Sequence, residues 1–190
     1  FGSTVWLHDR TAPGGRRLHA INLHLRAPLA TFLPGQKQSS TAWKSVSSWA
    51  EGFFISAIKR SGQALETRLF IDGLLATEDD ALIAVCGDFN AEVREMPVRI
   101  IRGDPRDCGN PALAGQSLTA LESSDAESPS FSVVHEGRHL LLDHILVSKP
   151  LALACRSIAI DNAALADETK GDGAPLGSFH APLVASFELD

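Results

Sequence analysis

The chemistry-bearing residues of this sequence stand at or near the ends of short apolar runs. The clearest case is Leu82–Asn90, LIAVCGDFN, where five apolar residues lead into Gly87-Asp88-Phe89-Asn90. Asp88 and Asn90 are two apart, so in extended geometry they share one face while Phe89 points the other way. A carboxylate and a carboxamide so placed can hold a metal ion, orient a water and donate a hydrogen bond to a phosphate oxygen. As a bare tetrapeptide, Gly-Asp-Phe-Asn is also what a turn requires. Asp143 interrupts the apolar run HLLLDHILV, where a carboxylate either finds a partner or faces solvent from an edge strand. His24 shares a strand face with Asn22 near the end of RLHAINLHL, and His180 follows the turn at Gly177-Ser178.

These residues need strands to bring them together. Thr4–Leu7 and Arg17–Leu25 read as a hairpin around Thr11–Gly15. The stretch 41–77 reads as helix, in two pieces broken near Ser61-Gly62, with Trp49, Phe53, Ile55, Leu65, Leu69 and Leu74 as its apolar positions. Leu82–Cys86 is a buried strand. Residues 91–129 are irregular, with short helices near 97–102 and 112–122. Phe131–His135 and His139–Val147 read as a second hairpin around Glu136-Gly137-Arg138, so His135 and His139 flank a turn and are not a zinc pair. Short strands follow near 156–160 and 183–189, with a polar loop at 161–177 between them.

The chain has 190 residues, 44% of them hydrophobic, which is enough for one domain with a substantial core. A net charge of −6 without a long basic block is no footprint for tight non-specific nucleic-acid binding. No run is long enough to span a membrane. Three widely spaced cysteines, Cys86, Cys108 and Cys155, suit reduced thiols and a cytoplasmic setting. The sequence opens at Phe1 and enters a strand-like run almost at once, so a fragment is expected.

Four motifs in order resemble the endonuclease/exonuclease/phosphatase superfamily: Asn22-Leu23-His24-Leu25, Gly87-Asp88-Phe89-Asn90, Leu142-Asp143-His144-Ile145 and Gly177-Ser178-Phe179-His180-Ala181-Pro182. The resemblance implies a four-layer α/β sandwich, with two mixed β-sheets between helices. It also implies that residues 1–190 are a single domain lacking its amino-terminal part. The implied activity is hydrolysis of a phosphodiester, nuclease-like, or of a phosphomonoester, by direct water attack with Mg²⁺ or Mn²⁺. By the same resemblance Asp88 activates the water. Asn90 helps to hold the water or phosphate, and both can touch the metal. His180 binds the phosphoryl oxygens, Asp143 fixes His180, and His24 contacts the phosphate or assists the leaving group. The expected partner is a phosphoester, nucleic acid included.

Two departures stand against that pattern. Phe179 occupies a place where the family usually has Asp. The strand Asn and metal-binding Glu that precede the Arg17–Leu25 strand in the family have no counterpart in this sequence. The alternative they favour is a non-catalytic phosphate-binding or protein-interaction module that kept the fold and lost the metal site.

Overall fold

A computed structural model of the chain describes residues 6–11, 15–124, 130–170 and 177–189. Its centre is a mixed five-stranded sheet built on a βαβ unit. Strand β2 (Arg17–His24) runs into helix α1 (Val46–Thr77), which returns the chain to strand β3 (Leu82–Asp88), parallel to β2. Strand β1 (Trp6–Thr11) pairs antiparallel on the outer side of β2. Residues Thr4-Val5 of the expected first strand and Ala12–Gly14 of its turn lie outside the described residues.

Helix α1 is one continuous element, not two. A glycine inside a helix costs about 1 kcal/mol relative to alanine, and Gly62 meets open space. Ser61 stays helical by donating its hydroxyl to the Ala57 carbonyl at 2.7 Å. Ser45 caps the helix by accepting from the Ser48 N–H at 3.1 Å. The inward face is mostly small: Gly52 and Ser56 are buried against the segment after β2, and Ala64, Thr67 and Ile71 are buried further along. Trp49, Phe53, Leu65 and Leu69 are exposed instead. A backbone-close approach explains this: a side chain at position 52 would strike the Thr31 carbonyl.

After β3 come α2 (Met96–Arg102), two 3₁₀ turns (Pro111–Gln116 and Leu121–Ser124) and the two-residue strand β4 (Thr119–Ala120) between them. The anticipated second hairpin is split. Strands β5 (Val133–His135) and β6 (Arg138–Leu140) form a small antiparallel pair, turning at Glu136 and Gly137, both with positive φ. The chain then leaves it, and β7 (Asp143–Val147) joins the main sheet between β3 and β4. Ser132 makes the switch affordable, because its hydroxyl accepts both the Leu142 and the Asp143 backbone N–H at 3.1 Å. Helix α3 (Lys149–Leu153) leads to β8 (Cys155–Ile160), which pairs antiparallel with β9 (Leu183–Phe187). Residues 171–176 of the preceding polar loop lie outside the described residues.

Two cores sandwich the sheet. On one face Ile21, Leu23, Ile83, Val85 and Phe89 pack with Ala64 and Ile71 of α1 and Val98 and Ile101 of α2. On the other, Leu82, Ile145 and Val147 pack with Ile158, Leu183 and Phe187 of the β8–β9 pair. The second sheet of the sandwich is thus a two-stranded antiparallel pair among the described residues.

Candidate active site

Strand direction alone brings three functional side chains into one row. The parallel strands β2 and β3 end together, and antiparallel β7 begins where they end. His24 is therefore the register partner of Asp88, and Asp88 the register partner of Asp143. Alternation then points all three to the β8–β9 side, because Phe89 and His144, one residue on, face the helical core.

Gly87 lets the backbone reach that position. Its φ of +132° is unfavourable for any side chain, and a Cβ there would lie 2.0 Å from the Leu23 carbonyl oxygen. The turn beyond it is locked from several sides. Asp88 accepts the Asn90 backbone N–H at 2.8 Å and the Asn90 carboxamide N–H at 3.0 Å. The same carboxamide donates to the Leu25 carbonyl at 2.9 Å, and Arg60 donates to the Asn90 carbonyl at 2.7 Å. Asn90 has φ +49°, which asparagine tolerates better than most residues. The turn reading of Gly-Asp-Phe-Asn is thus met, with Asp88 still in the row at the strand ends.

His180 arrives from the segment before β9. Its Nδ1 lies 2.7 Å from Asp143 Oδ2, while Ser178 Oγ accepts its backbone N–H at 2.9 Å. Asp143 does not face solvent from an edge strand; its side chain is 17% exposed and has the partner an interior carboxylate needs. His24 Nε2 lies 3.3 Å from Asp88 Oδ2, on a side chain that is 71% exposed. All five sequence-selected residues, His24, Asp88, Asn90, Asp143 and His180, therefore meet in one region. A cleft of about 760 Å³ opens beside it, lined by Gly87, Asp143, Ser178 and His180 together with Cys86 and Asp161, while His24, Asp88 and Asn90 stand outside its lining.

The electrostatics follow from this crowding. Burial raises the Asp88 carboxyl above its usual range; the Asn90 N–H pulls it down and the facing Asp143 charge pushes it up again. The hydrogen bond to Asp143 raises His180 against the opposing effect of burial, and the charges of Asp143, Asp88 and Glu168 add to it. Burial also raises the Cys86 thiol, so it is not an activated nucleophile. Ligand atoms of Asp88, Asp143 and His180 all lie within 4.8 Å of one another. Two facing carboxylates, one disfavoured as an anion by the other, form a donor set whose repulsion a divalent cation relieves. The residues therefore fit the implied metal.

One supporting pair was not singled out in the sequence. His144 is buried behind the row, with Nε2 donating to the Ala91 carbonyl at 2.8 Å and Nδ1 facing the buried Glu122 carboxyl at 2.5 Å. The Glu122 carboxylate also accepts the Ile145 N–H at 3.2 Å. The pair ties β7 to the turn after Asn90. Only the position of His144 beside Asp143 hinted at it, because Glu122 falls in the irregular stretch. His135 is paired with Glu168, and His139 stacks on Phe131, which leaves both outside the row.

No family model matches the chain, and no curated protein matches it. Solved structures do. A 3′ phosphatase from Neisseria, NExo, bound to a product DNA hairpin, superposes with a TM-score of 0.52 at 18% identity, covering 96% of this chain and 65% of that one. An AP endonuclease from Archaeoglobus fulgidus gives 0.54 at 15% identity, with 96% and 65% covered. A Bacteroides thetaiotaomicron protein of the endonuclease/exonuclease/phosphatase family gives 0.50 at 12% identity, with 90% and 48% covered. The chain has the endonuclease/exonuclease/phosphatase fold. It spans less than two-thirds of the length of these structures. Within this fold, the row of His24, Asp88 and Asp143 with His180 stands at the strand ends of the central sheet, where open α/β sheets carry their ligands.

Proposed function

We propose that this chain carries the site of a divalent-metal-dependent phosphoester hydrolase that works by direct attack of water. The observation that carries the reading is the His24–Asp88–Asp143 register row with His180 bonded to its far end. Asp88, whose basicity is raised by burial, accepts the proton of the attacking water, and Asn90 helps to orient that water. His180, bonded to Asp143 through Nδ1, presents Nε2–H to a phosphoryl oxygen and opposes the negative charge that grows there. His24 is exposed beside Asp88 and within reach of the phosphate or the leaving group. Asp88 with Asn90, and the neighbouring Asp143, would hold Mg²⁺ or Mn²⁺, which supplies Lewis-acid polarisation and an acidified water when bound.

Two of the similar structures are described as a DNA-bound 3′ phosphatase and an AP endonuclease, which supports a phosphodiester or nucleic-acid substrate. Three free cysteines support a reducing, cytoplasmic setting, and no helix among the described residues is long and apolar enough to cross a membrane. A second reading, a phosphate-binding module without catalysis, is favoured by Phe179 in place of the family's Asp. It is favoured too by the full engagement of Asp88 with Asn90 and His24. Hydrolysis of an activated phosphodiester with and without Mn²⁺ separates the two: metal-dependent turnover supports the hydrolase, and phosphate binding with no turnover supports the module.

A further inference from the structure

We propose that the outward face of helix α1 is a self-complementary interface through which two copies of this chain pair, with their helices antiparallel. Phe54, Ile58, Leu65 and Leu69 follow one another in α1 at steps of four, seven and four residues, and each is at least 50% exposed. At about 100° per residue these steps keep the four on one side of the helix. The buried Gly52, Ser56, Gln63, Thr67 and Ile71 fall on the opposite side. A surface helix ordinarily turns its apolar stripe to the core and polar residues to water. Here the inward face is mostly small and the large apolar side chains point outward, where nothing among the described residues covers them.

The pattern selects a second copy as the occupant. Phe54 and Leu69 lie equally far from the midpoint between Ser61 and Gly62, and so do Ile58 and Leu65. A twofold axis through that midpoint sets Phe54 against Leu69 of the second copy and Ile58 against its Leu65, which is the reciprocity of an isologous interface. A Cβ built at Gly62 would meet open space, so the two backbones can approach closely at the centre. Charge obeys the same axis, which brings like flanks of the two helices together. Lys59 and Glu66 stand on one flank of the stripe, and neither makes an ion pair among the described residues. At about 1.5 Å of rise per residue, Lys59 lies about 4 Å from the midpoint and Glu66 about 7 Å. Lys59 therefore comes level with Glu66 of the second copy to within about 3 Å, and the contact occurs twice. The acidic residues near the ends of the stripe are already engaged. Asp72 pairs with Arg68, and Glu51 accepts from the Gln36 carboxamide at 3.0 Å.

The area is sufficient. The four apolar side chains leave roughly 400 Å² per copy in water. Pairing removes about 800 Å² through them, and the flanks of the stripe raise the total to about 1,000–1,200 Å², which clears what a specific interface needs. The stripe faces away from the sheet, and the His24–Asp88–Asp143 row points to the other side of the sheet, toward β8 and β9. Pairing leaves the row clear in each copy, so the inference stands apart from the hydrolase reading.

The test is the mass of the 190-residue chain in solution, by sedimentation equilibrium at micromolar concentrations, where a dimer is expected. Ile58→Glu/Leu65→Glu changes two exposed positions that face each other across the axis. It should weaken the dimer about a hundredfold or more and leave the circular dichroism unchanged. Cysteine cross-linking reads the register independently. Gly62→Cys stands at the axis, where opposing Cα atoms fall within the roughly 4–7 Å that a disulfide spans, and should give a covalent dimer under mild oxidation. Gly73→Cys is equally unobstructed but about 17 Å from the axis. It should not exceed the background of the unmodified chain, whose Cys108 is exposed. A monomer at every concentration would overturn the inference, as would a dimer untouched by the Glu pair. Cross-linking through Gly73→Cys equal to that through Gly62→Cys would overturn it as well. So would a monomer that binds lipid vesicles through the same four residues, which would give the face to a membrane surface. If the Glu pair unfolds the chain, the two cysteine variants decide.

Discussion

Asp88 and Asp143 are register partners across β3 and β7, and each carries its own histidine: His24 Nε2 is 3.3 Å from Asp88, and His180 Nδ1 is 2.7 Å from Asp143. Burial, and after it the charge of the facing Asp143, raises Asp88, while the hydrogen bond to Asp143 raises His180. The proposed water attack would use Asp88 as its base and His180, held by Asp143, to oppose the charge growing on the phosphate.

Asp143 and His180 should behave as one unit. Asp143→Asn keeps the shape but loses the charge, and is expected to lower turnover by roughly one to four decades, as for other orienting carboxylates. His180→Ala should cost at least as much, and the double variant little more. Steady-state kinetics of the three variants checks this. Losses that multiply in the double variant would dissociate Asp143 from His180.

The pH profile should be a bell. Asp88 acts ionised, and burial and the Asp143 charge raise it, so turnover should begin to climb above the ordinary carboxylate range. His180 acts as a cation, and its hydrogen bond to Asp143 raises it, so turnover should fall only above the ordinary imidazole range. In Asp143→Asn the falling limb should move to lower pH. The same shift has a stability counterpart: the His180–Asp143 contribution is complete below the unfolded histidine value and is lost as pH rises through the folded one. An unmoved falling limb in Asp143→Asn would mean that another group sets it.

Much of this site was legible because strand alternation is a strong signal. The faces of Leu18–Leu25 and Leu82–Phe89 follow from polar and apolar spacing, and those faces place His24 and Asp88. What escaped was governed by tertiary contact. Helix α1 passes through Ser61-Gly62 unbroken because its packing outweighs a local penalty of about 1 kcal/mol. Its inward face is small because the Thr31 and Trp43 segment lies close to Gly52. The hairpin at 131–147 splits because Ser132 supplies an acceptor for two backbone donors, which spacing along the chain does not reveal. Glu122 became a supporting residue only through a partner 22 positions away.

That buried pair should matter to the fold. Leaving buried donors without their acceptor costs about 1–3 kcal/mol, so Glu122→Ala, which strands the Ile145 N–H and the His144 Nδ1, should lower stability by an amount of that order. Glu122→Gln, which can still accept the Ile145 N–H, should cost less. Urea unfolding of both variants checks the ranking; equal and small losses would remove the pair from its supporting role.

Metal binding should favour Mn²⁺ over Mg²⁺. Mg²⁺ demands a near-octahedral oxygen shell, and here Asp88 and Asn90 are already engaged with each other. Calorimetry should show weak Mg²⁺ binding and tighter Mn²⁺ binding. Affinity should rise with pH as Asp88 deprotonates, and Asp88→Asn should abolish it. Tight Mg²⁺ binding insensitive to Asp88→Asn would place the metal elsewhere.

The most direct measurement is turnover of bis(p-nitrophenyl) phosphate by the chain and by Asp88→Asn, each in EDTA and in saturating Mn²⁺. The account expects turnover only with metal, reduced roughly a hundredfold or more in Asp88→Asn. No turnover in saturating Mn²⁺, or equal turnover in the two proteins, would contradict it.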